Sequence, residues 1–251
     1  MTHLSEAILR DTNGMNLILH DPLAVQHLRD RVDFFILDCA ARSCDYTTIS
    51  NLIAASGDTP FLVRPASNDK NTLQALLNLG VDGLILSDIH HAAELEKTIA
   101  ACLYPPEGIR LYRPLAAQDK MALDAVNDQI TFVVEISHPQ TVSQLEEIAE
   151  VTGINGFLVN PQRLSVAMEK GGNTDDPAVR QTLKTIARVA ASYELPLGLE
   201  GENTFDLQAD FTVPTCDLDL LLGNTQGKNT FTMEDDEEND FGPVLLAARR
   251  E

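Results

Sequence analysis

Few residues stand at spacings that suit known chemistry. Cys39 and Cys44 are close enough for thiol chemistry or half of a zinc site, but there is no second close cysteine pair, and neither CxxC nor HExxH occurs. Thiol and zinc chemistry are therefore not expected. Gly223-Asn-Thr-Gln-Gly227-Lys228 has the wrong leading glycine spacing and lacks the trailing Ser/Thr of a phosphate loop, and no GxGxxG follows the first strand. His90 and His91 precede a helix-length segment and read as solvated or helix-capping residues. His138 directly follows Ser137, within reach of a pocket rim. Glu135 and Ser137 are two residues apart and share one face of a strand.

The elements that would carry these residues alternate in type. Short apolar runs at Asn16–Leu19, Phe34–Leu37, Phe61–Val63, Gly83–Leu86, Ile130–Val134, Gly156–Val159 and Pro196–Leu199 are separated by helix-length segments. Those segments carry apolar faces such as Leu73, Leu76, Leu77 and Ile99, Cys102, Leu103, while several runs are apolar without alternation, as in strands covered on both faces. Seven or eight such units in about 230 residues fit an α/β fold of the TIM (β/α)8 barrel type better than an open sheet. A single barrel over residues 1–232 is expected. In residues 233–251, Glu234, Asp235, Asp236, Glu237, Glu238 and Asp240 form an acidic linker, followed by a short apolar docking segment from Phe241.

The whole chain has 251 residues, 44% hydrophobic, enough for a large core. Eighteen Lys plus Arg against 38 Asp plus Glu give a net charge of −20, which would repel nucleic acid and anionic membranes. No apolar stretch is long enough to span a bilayer, and the start MTHLSEAILRD lacks the form of a signal peptide. With only four cysteines, the expectation is a cytoplasmic protein.

Three stretches carry a family resemblance: Phe35-Ile-Leu-Asp38; Leu62-Val-Arg64-Pro65 with Leu76-Leu-Asn-Leu-Gly80-Val-Asp-Gly83; and Tyr104-Pro-Pro-Glu-Gly108-Ile-Arg110, the most specific of the three. With Gly153 to Ser165 they resemble the HpcH/HpaI aldolases, citrate lyase-like members of the pyruvate/phosphoenolpyruvate superfamily, over roughly residues 5 to 200. The resemblance implies a barrel that binds pyruvate or its enolate on a divalent metal held by one Glu and one Asp. An Arg grips the carboxylate, and a His oriented by an Asp moves the proton. It also implies a homo-oligomer that exchanges C-terminal helices.

Transferred residue by residue, the resemblance keeps the orienting Asp38 but puts Ala41 where the base would be. It keeps Arg64, and it puts Ser137 and Arg163 where the two metal-binding carboxylates would be, with Glu135 in place of a Gln. A hydroxyl and a guanidinium cannot replace two anionic oxygen ligands for a hard cation, so no metal cofactor is expected. Arg163 would take over part of the ion's electrostatic role, with Glu135 as its internal partner.

A metal-independent carbon–carbon lyase or condensing enzyme for a small oxo- or hydroxy-carboxylic acid would then use Arg64, Arg163, Ser137 and Arg42 to bind the acid. Arg64, Glu135 and His138 would be its catalytic groups. A Schiff-base route is discounted, because Lys70, Lys97, Lys120, Lys170, Lys184 and Lys228 lie outside the expected strands. The rival expectation is a catalytically inactive barrel, acting as a carboxylate sensor or as a scaffold for a partner enzyme.

Overall fold

A computed structural model describes residues 11–112, 123–201 and 207–222. Eight parallel strands close into a barrel in chain order, and helices cover the outside. The strands are β1 (Thr12–Leu17), β2 (Phe34–Asp38), β3 (Phe61–Arg64), β4 (Gly83–Leu86), β5 (Thr131–Ile136), β6 (Gly156–Val159), β7 (Leu197–Glu200) and β8 (Phe211–Val213). The helices are α1 (Pro22–Leu28), α2 (Tyr46–Ser56), α3 (Lys70–Leu79), α4 (Ala92–Cys102), α5 (Leu123–Asn127), α6 (Pro139–Ser143), α7 (Leu145–Ala149), α8 (Pro161–Ala167), α9 (Pro177–Ser192) and α10 (Asp217–Leu222). Among the described residues, no helix is long and apolar enough to cross a membrane. The acidic run and the apolar segment expected in residues 233–251 lie outside the described residues, as does Gly223–Lys228.

The strand residues sort by parity. Phe35, Leu37, Phe61, Val63, Leu84, Leu86, Phe132, Val134, Phe157, Val159, Leu197 and Leu199 belong to the outer core with the helix faces, including the expected Leu73, Leu76, Leu77, Ile99 and Cys102. The alternate positions Phe34, Ile36, Leu62, Ile85, Val133, Leu158, Phe211 and Val213 form a separate cluster inside the barrel. Phe34 and Phe211 meet edge to face there, with ring centroids 6.0 Å apart. Two glycines make room for them: a Cβ on Gly14 or Gly198 would lie 2.2 Å from the Phe34 or Phe211 ring, respectively.

The first strand begins four residues earlier than its apolar run suggests. Ile18 and Leu19 leave the ladder because their N–H groups donate to the Asp217 carboxylate, at 2.8 and 3.1 Å. The eighth strand, only three residues long, has no apolar run to announce it. The ends of β5 and β7 also run past the expected apolar cores, which brings Glu135 and Glu200 inside regular strands.

The Tyr-Pro-Pro-Glu-Gly-Ile-Arg stretch is a packing device. The Tyr104 N–H and C=O both bond the Asn127 side chain, at 2.7 and 3.0 Å, and the Arg110 guanidinium lies 4.5 Å from the Tyr104 ring centroid. A Cβ on Gly108 would stand 2.3 Å from the Leu103 carbonyl oxygen, so the return of the chain onto α4 requires glycine here.

Candidate functional site

Above the apolar interior, the inward positions at the carboxyl ends of the strands turn polar. Asp38 ends β2, Arg64 ends β3 directly beside it in register, Glu135 lies in β5 and Glu200 ends β7. Arg64 has no exposed side-chain surface and reaches three carboxylates: Asp38 at 2.5 Å, Glu200 at 2.6 Å and Glu135 at 3.0 Å. The Nε contact to Glu135 is an ion contact without hydrogen-bond alignment. Asn16 on β1 donates to Glu200 at 2.8 Å, and the Ser87 hydroxyl after β4 donates to Glu135.

The second cation comes from the loop after β6. Asn160 caps α8 by accepting from the Arg163 N–H at 2.9 Å, which fixes where the Arg163 side chain starts. Its guanidinium then bridges two strands, donating to Asp38 at 3.0 Å and to Glu135 at 2.9 Å, while 41% of the side chain stays exposed. The expected pairing of Arg163 with Glu135 is present in this geometry, and Asp38 is an additional partner.

Burial opposes ionisation of Asp38, Arg64 and Arg163, and opposite charges outweigh it. For Asp38 burial pushes the carboxyl up, but the Arg64 charge, the Ala41 N–H and the Arg163 and Arg64 hydrogen bonds hold it below its ordinary value. Arg64 is likewise disfavoured by burial, yet Glu200, Glu135 and Asp38 raise its pKa. Arg163 is opposed by burial and by the Arg64 charge, and it too is raised by Glu200, Glu135 and Asp38.

The charge count bears on the expected anion site. Three carboxylates and two guanidiniums give −3 + 2 = −1, so these five described groups carry no surplus positive charge. Arg64, expected to grip a ligand carboxylate, is sealed from solvent and already surrounded by carboxylates of the chain. Glu135, expected to move a proton, has one oxygen on Arg163 and the other on Arg64 and Ser87. Among the described residues Asp38 orients no histidine: its other oxygen accepts from the Ala40 and Ala41 N–H groups at 3.0 and 2.8 Å, shaping the loop after β2.

The remaining expected residues stand apart from this cluster. His138 is exposed, and its Nδ1 accepts from the Gln140 N–H to cap α6 while its ring meets His90 edge on at 5.3 Å. His90 Nδ1 lies 3.3 Å from the Thr141 hydroxyl, and His91 Nε2 lies 3.3 Å from Gln140 Nε2. Arg42 is exposed and donates to the Ile18 carbonyl at 2.8 Å, which ties the β1 and β2 loops together. Ser137 is half-buried just past β5 and, among the described residues, bonds none of the five charged groups. Cys39 and Cys44 are free, and burial, helped by Cys44 and Asp38, pushes the Cys39 thiol up to about 12.

Sequence reasoning missed Glu200, Asn16 and Ser87. The available signal was parity, since Glu200 follows the apolar run Pro196–Leu199 and shares the inward face with Gly198.

A divalent cation does not fit this donor set. The resemblance assigns its ligands to Ser137, a neutral hydroxyl, and Arg163, itself a cation, and the nearby carboxylates are turned onto guanidiniums. Among the described residues, no group of three or more His, Cys, Asp or Glu is arranged to hold a metal. A cleft of ≈ 880 Å³ opens beside this cluster, touching it through Ser87 and running out past Asn68, Asp69, Glu94 and Lys97.

Residues 38–196 match the family model described as HpcH/HpaI aldolase/citrate lyase. The chain is 27% identical over 207 residues to a 5-keto-4-deoxy-D-glucarate aldolase of Escherichia coli O157:H7, covering 77% of this chain and 81% of that one. Its fold is similar to that of HpcH/HpaI aldolase from Desulfitobacterium hafniense, with a TM-score of 0.79, 21% identity and coverage of 86% and 90%. It is also similar to an HpcH/HpaI aldolase/citrate lyase family protein from Burkholderia cenocepacia, with a TM-score of 0.82, 18% identity and coverage of 89% and 96%.

Proposed function

The chain belongs to the HpcH/HpaI aldolase/citrate lyase family, and from that premise we propose that it is a catalytically silent member, a barrel whose carbon–carbon lyase centre has become a structural ion cluster. Enolate chemistry needs a base beside the reacting carbon and an electrophile for the developing oxyanion. At the position of the base this chain has Ala41, and His138 holds a helix cap instead. Both Glu135 oxygens are already engaged, one by Arg163 and the other by Arg64 and Ser87.

The electrophile is compromised in the same way. Arg163 gives its charge to Asp38 and Glu135, and Arg64 cannot touch a ligand because its side chain is fully buried. That burial is the observation that carries the reading. What the chain retains is a rigid fold with an open cleft, which suits binding or assembly, including the homo-oligomer that the family resemblance implies.

The test is solvent-deuterium exchange into the pyruvate methyl group, with and without Mg2+ or Mn2+, together with cleavage of 4-hydroxy-2-oxo acids. Rates at the protein-free background are expected in every condition. Exchange above background that disappears in Arg163→Ala would overturn the proposal.

One observation favours a second reading, a metal-independent aldolase: 41% of the Arg163 side chain is exposed. On that reading pyruvate or oxaloacetate would raise the melting temperature without metal, and exchange would be detectable. A thermal shift without exchange would instead mark a carboxylate sensor.

A further inference from the structure

We propose that the mouth of this barrel is a cation site whose resident cation is the tethered guanidinium of Arg163. Catalytic silence is not required for this inference, since its readouts are thermal and spectroscopic rather than turnover. The misfit between the donor set and a divalent ion is its starting point. Without Arg163, the carboxylates of Asp38, Glu135 and Glu200 would face only Arg64, giving −3 + 1 = −2 in a largely buried cluster. Such an excess needs a cation, and the chain supplies it from α8.

The geometry identifies the class of cation. One guanidinium nitrogen faces Asp38 Oδ2 at 3.0 Å and the other faces Glu135 Oε1 at 2.9 Å, so the two acceptors sit on either side of a planar fork. A metal ion offers no N–H donors, and an ammonium offers no planar fork of two nitrogens. Arg64 does not compete for this role, because it approaches the carboxylates from inside the barrel with no exposed surface, whereas Arg163 approaches from the solvent side. The position is therefore one that a free guanidinium can reach once the side chain is removed.

The test uses the full chain with Arg163→Ala and methylguanidinium as the probe. Arg163→Ala is expected to melt about 5 °C below the unmodified protein, with the cost of a broken ion pair discounted for the exposure of the side chain. Low-millimolar methylguanidinium, below denaturing concentrations, should restore most of that loss saturably. It should leave the unmodified protein unchanged and fail on Arg163→Ala/Glu135→Gln, which lacks one acceptor charge. Absence of rescue, or equal stabilisation of the unmodified protein, would overturn the proposal.

A second measurement does not depend on the variant folding. Mn2+ titrated into the unmodified protein and followed by electron paramagnetic resonance should retain its free-ion signal. Saturable Mn2+ binding abolished by Glu135→Gln would show that a metal, and not Arg163, holds the site.

Discussion

Removing Arg64 should be the most damaging single change at the barrel mouth. In Arg64→Met the side-chain volume is roughly kept, but among the described residues Glu200 keeps only the Asn16 amide as a hydrogen-bond partner, and Asp38, Glu135 and Glu200 must share the charge of Arg163. The side chains of Glu135, Glu200 and Asp38 are 1%, 6% and 10% exposed, so water repays little of the loss. Breaking one partner out of a buried ion pair costs about 3–5 kcal/mol, and three contacts are lost together, so the expected cost is about 4 kcal/mol or more. In a chain of this size that lowers Tm by about 8–16 °C. The chain has no tryptophan, so the transition is best followed by far-UV circular dichroism in urea and on heating. Arg64→Met/Glu200→Gln should fall short of the sum of the two single changes by more than about 1 kcal/mol, as expected for partners in one network. A Tm drop below about 3 °C, or strict additivity, would refute the view that these charges act as one buried unit.

Three further outcomes follow from the same geometry. Asp38 has a folded pKa depressed below its unfolded value of 3.8, so its contribution to stability is present above that pH and is lost as pH falls through the folded value; acid titration of Asp38→Asn should lack this component. Gly198→Ala would set a Cβ 2.2 Å from the Phe211 ring, and about 2–3 kcal/mol of destabilisation is expected in urea melts, partly recovered by adding Phe211→Leu. Because burial pushes the Cys39 thiol up to about 12, Cys39 should resist a thiol reagent in native protein at pH 8, and rapid modification at Cys39 by peptide mapping would contradict the buried placement.

The barrel was legible because its strands are covered on both faces, which leaves uninterrupted apolar runs such as Phe34–Leu37 and Gly83–Leu86. The misplaced β1 shows where this reading stops: Ile18 and Leu19 are apolar, but their N–H groups go to Asp217, nearly two hundred residues later in the chain, a partner no local pattern reveals. At the site, the pairing of Arg163 with Glu135 followed from the resemblance and strand parity. Glu200 did not, and with it the sign of the local charge was missed, since a lone acidic residue after an apolar run looks like a strand end meeting solvent. Only closure of the barrel brings it within 2.6 Å of Arg64.

The cluster also constrains how the polypeptide can be divided. Its members come from the β2, β3, β5, β6 and β7 units, and the Arg64 to Glu200 and Arg163 to Asp38 contacts span 136 and 125 residues. A nascent chain released only as far as β6 would carry Arg64 without its Glu200 counter-charge, and an isolated amino-terminal half would lack Glu135 as well. Neither half is thus a self-sufficient piece, so split forms should recover native structure only when both fragments are present together.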